Sequence, residues 1–339
     1  MAGARPTIRA ISESVGCSVT TVSMVLSGRA EEFRISAATR DRIIQTAREM
    51  NYQPNLHARN LRFGTSNIVA IMVPTLTHRF FSGMAEAFER LARTNGLFPL
   101  IIATHHDKTE ELDAIDYFIS QNVDCVFTAN SAAMSEVSKT CRRARLKQIV
   151  IDAHNGGGGH VVTTDSFAAA QVLTTRLLQR IAAAKKSGPV YFVGGMPDHS
   201  VTRRRLDGFL AALSAHAIAF EGEKPFVPTP FNAGQAREVF ADMFARSEKF
   251  AGIFVNSLAV MEGLLLYFRQ NRERCREVRY AVFDYHPFME AVDLDYVCVR
   301  QNAETMMSMA FSIYLKGLDA GGDQIHFAPY ELIESEPIR

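Results

Sequence analysis

The chain has 339 residues, too many for one compact core, so a small module joined to a larger α/β body is expected. Charged residues make up 22% and the formal net charge is +1, so the chain as a whole lacks the excess charge of a nucleic-acid binder. Five scattered cysteines, odd in number and without C-x-x-C spacing, argue against a disulfide framework or a metal site, and no cofactor is indicated. The opening MAGARPTIRA has no apolar signal region and no apolar run approaches the ~20 residues of a membrane helix, so a cytoplasmic protein is expected.

The charge is unevenly distributed. Residues 1–65 carry nine arginines and no lysine against five acidic residues, a net of +4 that leaves −3 for the remainder. A basic head on a mildly acidic body suits a chain that meets phosphates at one end.

Within that head, Thr7 is placed to cap a first helix with Ile8, Ile11 and Val15 on one face, and Gly16 breaks it. Ser18 caps a second helix running to about Leu26 that buries Val22 and Val25; Ser36 caps a third with Ile43, Ile44, Ala47 and Met50 inward. Two helices about a tight glycine turn, followed by a supporting helix, form a helix-turn-helix. The hydroxyls of Ser18, Thr21 and Ser23 suit phosphate oxygens, while Val19, Thr20 and Met24 are placed to reach base edges. The alternative is an ordinary helical bundle in which these residues are merely exposed.

After Pro54, NLHARNLRFGTS (55–66) is short, basic and suited to a linker. From Ser66 apolar strand runs alternate with amphipathic helices. NIVAIMVP, FPLIIATHH, VDCVFTAN, KQIVIDA and HVVTTD form one series; PVYFVGG, FAGIFVNS and VRYAVFD, with the helical RRRLDGFLAAL and LAVMEGLLLYFRQN between them, form a second. Two such series imply two parallel-sheet lobes with a ligand in the crevice at the carboxyl ends of the strands. Gly156–Gly159 lacks the spacing of a phosphate loop and reads as a surface loop, and no catalytic constellation is present, so an enzyme is not expected.

The stretches TIRAISESVGCSVTTVSMVLSG, RISAATRDRIIQTAREMNYQPN and LHARNLRFGTSNIVAIMVP resemble the amino-terminal signature of the lactose-repressor and purine-repressor family. The likeness continues through VTTDS, RRRLDGF, GIFVNSLAVMEG and AVFDYHPFMEA, over essentially the whole chain. It implies a transcription regulator, in the commoner case a repressor. Residues 1–54 would form an all-α helix-turn-helix domain, 55–65 a hinge helix, and 66–339 a two-lobed α/β body akin to periplasmic sugar-binding proteins that binds effector and dimerises. The DNA-facing residues implied are Thr7, Ser18, Val19, Thr20, Thr21, Ser23, Met24, Ser27 and Tyr52 in the head, with Asn55, Ala58, Arg59 and Leu61 in the linker. Many members carry an arginine where this chain has Met24, so a guanine contact is not transferable, and an apolar side chain favours a thymine methyl or base face. Asn55–Leu61 is too short to be helical alone, and in the family the leucine matching Leu61 wedges between base pairs in the minor groove.

A sugar site needs polar groups converging on hydroxyls beside an aromatic face. Asp152, Asp165, Asn256 and Asp284 end strands; Arg205 follows PVYFVGG; Phe80 and Phe81 follow the first strand; Gln301 belongs to a returning strand. The resemblance places Arg205, Asn256 and Asp284 at effector. GRAEEFRIS, LHARNLR and MEGLLLYFRQ are similar to repressors of sucrose and fructose utilisation, which implies fructose, a fructose phosphate or a related sugar, with Arg203 and Arg204 either near a phosphate or facing solvent. A nucleobase effector, or a solute-binding role in transport, stands as the alternative. The family pairs through its body around a pseudo-palindromic operator, and without a heptad tail after ELIESEPIR a homodimer is expected.

Overall fold

The computed structural model describes residues 6–52, 65–153, 159–218, 225–246, 250–318 and 324–336. The linker positions Asn55, Ala58, Arg59 and Leu61, and Gly156–Gly158 of the glycine run, lie outside the described residues. The chain divides into two compact units, Met1–Ser66 and Asn67–Arg339.

Three helices build the head: α1 (Ile8–Val15), α2 (Val19–Leu26) and α3 (Ala37–Glu49). Each starts at a hydroxyl. Thr7 Oγ1 accepts from the Ala10 amide at 3.2 Å, Ser18 Oγ from Thr21 at 3.0 Å and Ser36 Oγ from Thr39 at 3.3 Å. Such caps satisfy amides that the helix leaves free. Gly16 ends α1 at φ 64°, a left-handed conformation that glycine adopts without a Cβ clash. Ile11, Val15, Val22, Val25, Ala30, Ile43 and Ala47 form the small core, with Ile8, Ile44, Met50 and Tyr52 packed at its margin.

The body has two lobes, each a six-stranded sheet. The first contains β1 (Ile68–Val73), β2 (Phe98–Ala103), β3 (Cys125–Ala129), β4 (Lys147–Ile151), β5 (His160–Thr163) and β11 (Gln324–Phe327), in the order β11-β5-β4-β3-β1-β2 and parallel throughout. The second contains β6 (Val190–Val193), β7 (Phe226–Val227), β8 (Gly252–Val255), β9 (Arg279–Phe283), β10 (Asp295–Gln301) and β12 (Tyr330–Glu334), in the order β12-β10-β9-β8-β6-β7, with β12 alone antiparallel. Parallel strands are covered on both faces, which explains why β1, β3, β8 and β9 read as unbroken apolar runs.

In the first lobe, α4 (Arg79–Thr94) and α12 (Ala303–Lys316) cover one face, where Phe88 and Phe311 meet Phe127; α5 (Lys108–Ser120) and α6 (Met134–Ala144) cover the other, where Phe118 and Val137 meet Met72. In the second lobe, α7 (Ser166–Ala183) and α8 (Ser200–Ala215) cover one face, with Phe192, Phe209 and Phe254 packed ring to ring. The other face carries α9 (Ala233–Arg246) and α10 (Leu258–Phe268), beyond which lies the short α11 (Arg272–Arg276). The chain passes between lobes three times, after β5, after β10 and between β11 and β12.

The RRRLDGF stretch has a packing reason. A Cβ on Gly208 would lie 2.3 Å from the Phe167 carbonyl oxygen and 3.1 Å from the Ala170 Cβ, so glycine sets the close approach of α8 to α7. Replacing a mid-helix glycine by alanine gains roughly 1 kcal/mol of helix propensity, and overpacking costs roughly 1–3 kcal/mol. Gly208→Ala is expected to lower the melting temperature of the body, and an unchanged or higher value in a thermal melt refutes the packing assignment.

Candidate functional site

A cleft of about 710 Å³, open to solvent, runs between the lobes at the carboxyl ends of both sheets. This is the crevice in which open α/β sheets take ligands. Of the eight residues expected at effector, six line it: Phe80, Phe81, Asp152, Arg205, Asp284 and Gln301.

Asp152 and Asp284 occupy equivalent places, immediately after β4 and β9. Both are left-handed, at φ 51° and 79°, and both amides reach across to the neighbouring strand, Asp152 N–H to Val162 O at 3.0 Å and Asp284 N–H to Val299 O at 2.9 Å. A positive φ in a non-glycine residue is uncommon, and such conformations gather at binding sites. The turn directs each carboxylate into the cleft, one from each lobe.

Between them in charge sits Arg205 of α8, 4% exposed. Its Nη1 donates to the Asn256 carbonyl at 2.9 Å and its Cζ lies 3.5 Å from the Phe283 ring centroid. Asn256 is itself fully buried and donates from Nδ2 to Gly194 O and Thr202 Oγ1. It anchors Arg205 through its backbone and does not line the cleft. Gln301 donates to Asp284 Oδ1 at 2.6 Å. Burial pushes the Asp152 carboxyl up to about 7, opposed by the charge of Arg205 and aided by that of Asp284. Burial also raises Asp284, against Arg205 and the Gln301 hydrogen bond, and lowers Arg205.

The cleft wall leaves specific bonds unmade. Asp152 Oδ1, Gln301 Oε1 and Arg205 Nε are buried without a hydrogen-bond partner. Unsatisfied groups of this kind cost roughly 1–3 kcal/mol each unless a partner arrives. Two acceptors and a donor, set beside Phe80 and Phe81 whose rings meet edge to face at 5.4 Å, match a small polyhydroxylated ligand.

Two of the eight, Asn256 and Asp165, stay out of the cleft, and Arg203 and Arg204 take the solvent-facing alternative. Asp165 caps α7, its Oδ1 accepting from the Ala168 amide at 3.1 Å, and does not line the cleft. Arg203 and Arg204 are exposed on the far side of α8, Arg203 bonded to the Pro197 carbonyl and Arg204 set over the Phe167 ring. Lining residues that the sequence reading missed include Asn130, Glu262 and three histidines, His78, His106 and His199. The histidines were detectable in principle, since THRF, ATHHD and PDHS each sit where a strand hands over to a helix.

In the head, Ser18, Val19 and Thr20 are exposed at the start of α2, with Val19 44% accessible. Ser18 and Thr21 bond to one another through their hydroxyls at 2.8 Å, and Ser27 Oγ donates to the Met24 carbonyl at 3.0 Å. A hydroxyl has one donor and two acceptor positions, so capping leaves capacity for a phosphate. Met24, expected at the base edges, is instead buried at 7% exposure, although it does not belong to the core that Val22 and Val25 share. Arg9, Arg29 and Arg40 pair with Glu13, Glu32 and Asp41, while Arg34 and Arg48 have no ion pair among the described residues.

Burial of Asp152 has a consequence for stability. Its folded value of about 7 lies above the ordinary 3.8, so folding favours the protonated form. That contribution is fully present below about pH 4 and is lost as pH rises towards 7, at up to about 1.4 kcal/mol per unit. Asp152→Asn is expected to melt progressively above the parent as pH rises from 5 to 7.5. A difference in melting temperature that stays constant over that range shows that Asp152 is not held protonated.

The geometry has clear relatives. Residues 7–55 match the model for bacterial regulatory proteins of the lacI family, and residues 69–296 match that for a periplasmic binding protein domain. The chain is 30% identical to the sucrose operon repressor of Klebsiella pneumoniae over 88% of each chain. It is 26% identical to the fructose operon regulatory protein of Vibrio cholerae over 91% of this chain and 93% of that one. A lac repressor dimer bound to operator and the anti-inducer ONPF superposes with a TM-score of 0.79 at 16% identity, covering 98% of both chains. A lacI-type head joined to a two-lobed binding body, both matched in order along one chain, shows that this protein belongs to the lacI family of bacterial regulatory proteins.

Proposed function

We propose that the protein is a homodimeric repressor of carbohydrate-utilisation genes, acting in the cytoplasm, whose grip on a pseudo-palindromic operator is set by a sugar or sugar phosphate in the interlobe cleft. The observation that carries the reading is the set of buried, unpartnered atoms on Asp152, Arg205 and Gln301, drawn from both lobes into one cleft beside Phe80 and Phe81. The relatives named for sucrose and fructose operons support a sugar over a nucleobase. Those relatives are regulators, and the cleft is read as a binding site without chemistry of its own.

In this reading α2 enters the major groove with Ser18, Val19 and Thr20 foremost, and residues 55–65 form a hinge that is helical only on operator. Effector shifts DNA affinity by the difference in its own affinity for the two lobe arrangements. The conserved sum of the two binding energies makes the effect reciprocal, so operator must weaken or strengthen sugar binding by the same factor.

A gel shift on the chain's own upstream DNA, repeated with fructose, its phosphates and sucrose, tests the whole reading: a retarded band that one of them releases is the expected result. Arg205→Lys keeps the buried charge but loses the planar fork, and is expected to hold operator yet resist release at least tenfold more than the parent. Release at the parent's sugar concentration removes Arg205 from the site. Leu61→Ala is expected to weaken operator binding by tenfold or more and leave the calorimetric affinity for sugar unchanged; an unaltered shift disposes of the wedge.

A further inference from the structure

The cleft contains a second group of side chains that hydroxyl recognition does not use. His78 precedes α4 in the first lobe, His199 precedes α8 in the second, and His106 follows β2. All three line the cleft, and the His106 and His199 rings stack across the lobes with centroids 5.8 Å apart and planes 23° from parallel.

The two helices are unusual in how they begin. Every other described helix of eight or more residues has a side-chain oxygen at its start: Thr7, Ser18, Ser36, Asp107, Asp165, Asn232, Ser257 and Asn302 on their own helices, and the Glu111 carboxylate at α6. His78 and His199 make no such bond, so the first-turn amides of α4 and α8 are left for something else. Helices of 16 residues present a partial positive charge and free N–H groups at that end, the arrangement that takes anions.

A helix end alone is not a site, but independent groups point into the same cleft. Arg205 is 4% exposed with Nε unpartnered, and His199 Nδ1 is buried without a partner. The remaining charged groups on the wall are Arg79, Glu262, Asp152 and Asp284, and the two aspartates already face Arg205.

We propose that the cleft reads an anionic phosphoryl group on its effector, held by His78 and His199 at the amino ends of α4 and α8 together with His106. The inference rests on the sugar reading above and narrows it to a phosphate monoester of a sugar. Burial and the neighbouring charges of His199 and His78 hold His106 down to about 4. A bound dianion reverses that balance, so binding takes up protons from solution near pH 6. Because the imidazoles come from both lobes, the phosphoryl group also draws the lobes together.

Calorimetry on the full chain at pH 6.5 tests this with four probes: fructose, fructose 1-phosphate, fructose 6-phosphate and inorganic phosphate. One ester is expected to bind at least tenfold more tightly than fructose, and two buffers of different ionisation heat are expected to report net proton uptake. In His106→Gln/His199→Gln, checked for fold by circular dichroism, the preference should fall below threefold. Millimolar inorganic phosphate should raise the melting temperature of the parent and not that of the double variant, a result that supports the subsite whether or not any fructose compound binds. Fructose binding as tightly as its esters, or a preference that survives in the double variant, overturns the phosphoryl subsite and leaves the sugar reading standing. Silence from all four probes overturns both.

Discussion

A single guanidinium buried among two carboxylates governs the body. Arg205 and Asp152 are withdrawn from water and Asp284 is half-buried, and desolvating each ion costs several kcal/mol before attraction returns any of it. One cation facing two anions leaves a negative charge in excess, which the protein meets by holding a proton near Asp152. The rest of the architecture serves to keep that trio in place: β8 ends at the Asn256 carbonyl, β9 ends at the Phe283 ring, and Gly208 lets α8 sit close enough to α7 to bring Arg205 to both. In the proposed function, hydroxyl donors on a ligand complete what the chain leaves incomplete, and because one aspartate belongs to each lobe, ligand affinity and lobe geometry share one electrostatic balance.

The head obeys different physics. Its core of seven buried apolar residues is small, and its helices depend on hydroxyl caps at Thr7, Ser18 and Ser36 to start where they do. Two of those caps, Thr7 and Ser18, are also expected DNA contacts. The two roles are compatible, since a capping oxygen accepts an amide while its hydrogen stays available, and they place the capping oxygens of Thr7 and Ser18 on the surface.

Much of this was legible in the sequence. Caps, turn glycine and apolar spacing located α1 to α3 because those signals are local. The central strands of both sheets declared themselves as apolar runs because both faces are covered. Two edge strands left no such mark: β7 has two residues, and β11, QIHF, is largely exposed. Strand ends pointed to Asp152 and Asp284, which line the cleft, yet the same logic chose Asp165, where the carboxylate is spent on a helix amide. Sequence position alone does not separate a cap from a cleft-lining side chain. The histidines escaped for a related reason: their meaning lies in α4 and α8 lacking the caps that other helices have, and in two lobes bringing distant imidazoles together, neither of which is written in any one segment.

The order in which the two sheets are threaded bears on how the chain is made. Strand β11 and helix α12 belong to the first lobe but follow all of the second lobe except β12. During synthesis the face of the first sheet around Phe88 and Phe127 therefore waits uncovered until Phe311 emerges. Long-range closure of this kind is slow and leaves sticky surface exposed meanwhile. The amino-terminal head, built only from neighbours in sequence, faces no such delay, so the three-helix unit can be complete on the ribosome while the body is still half assembled.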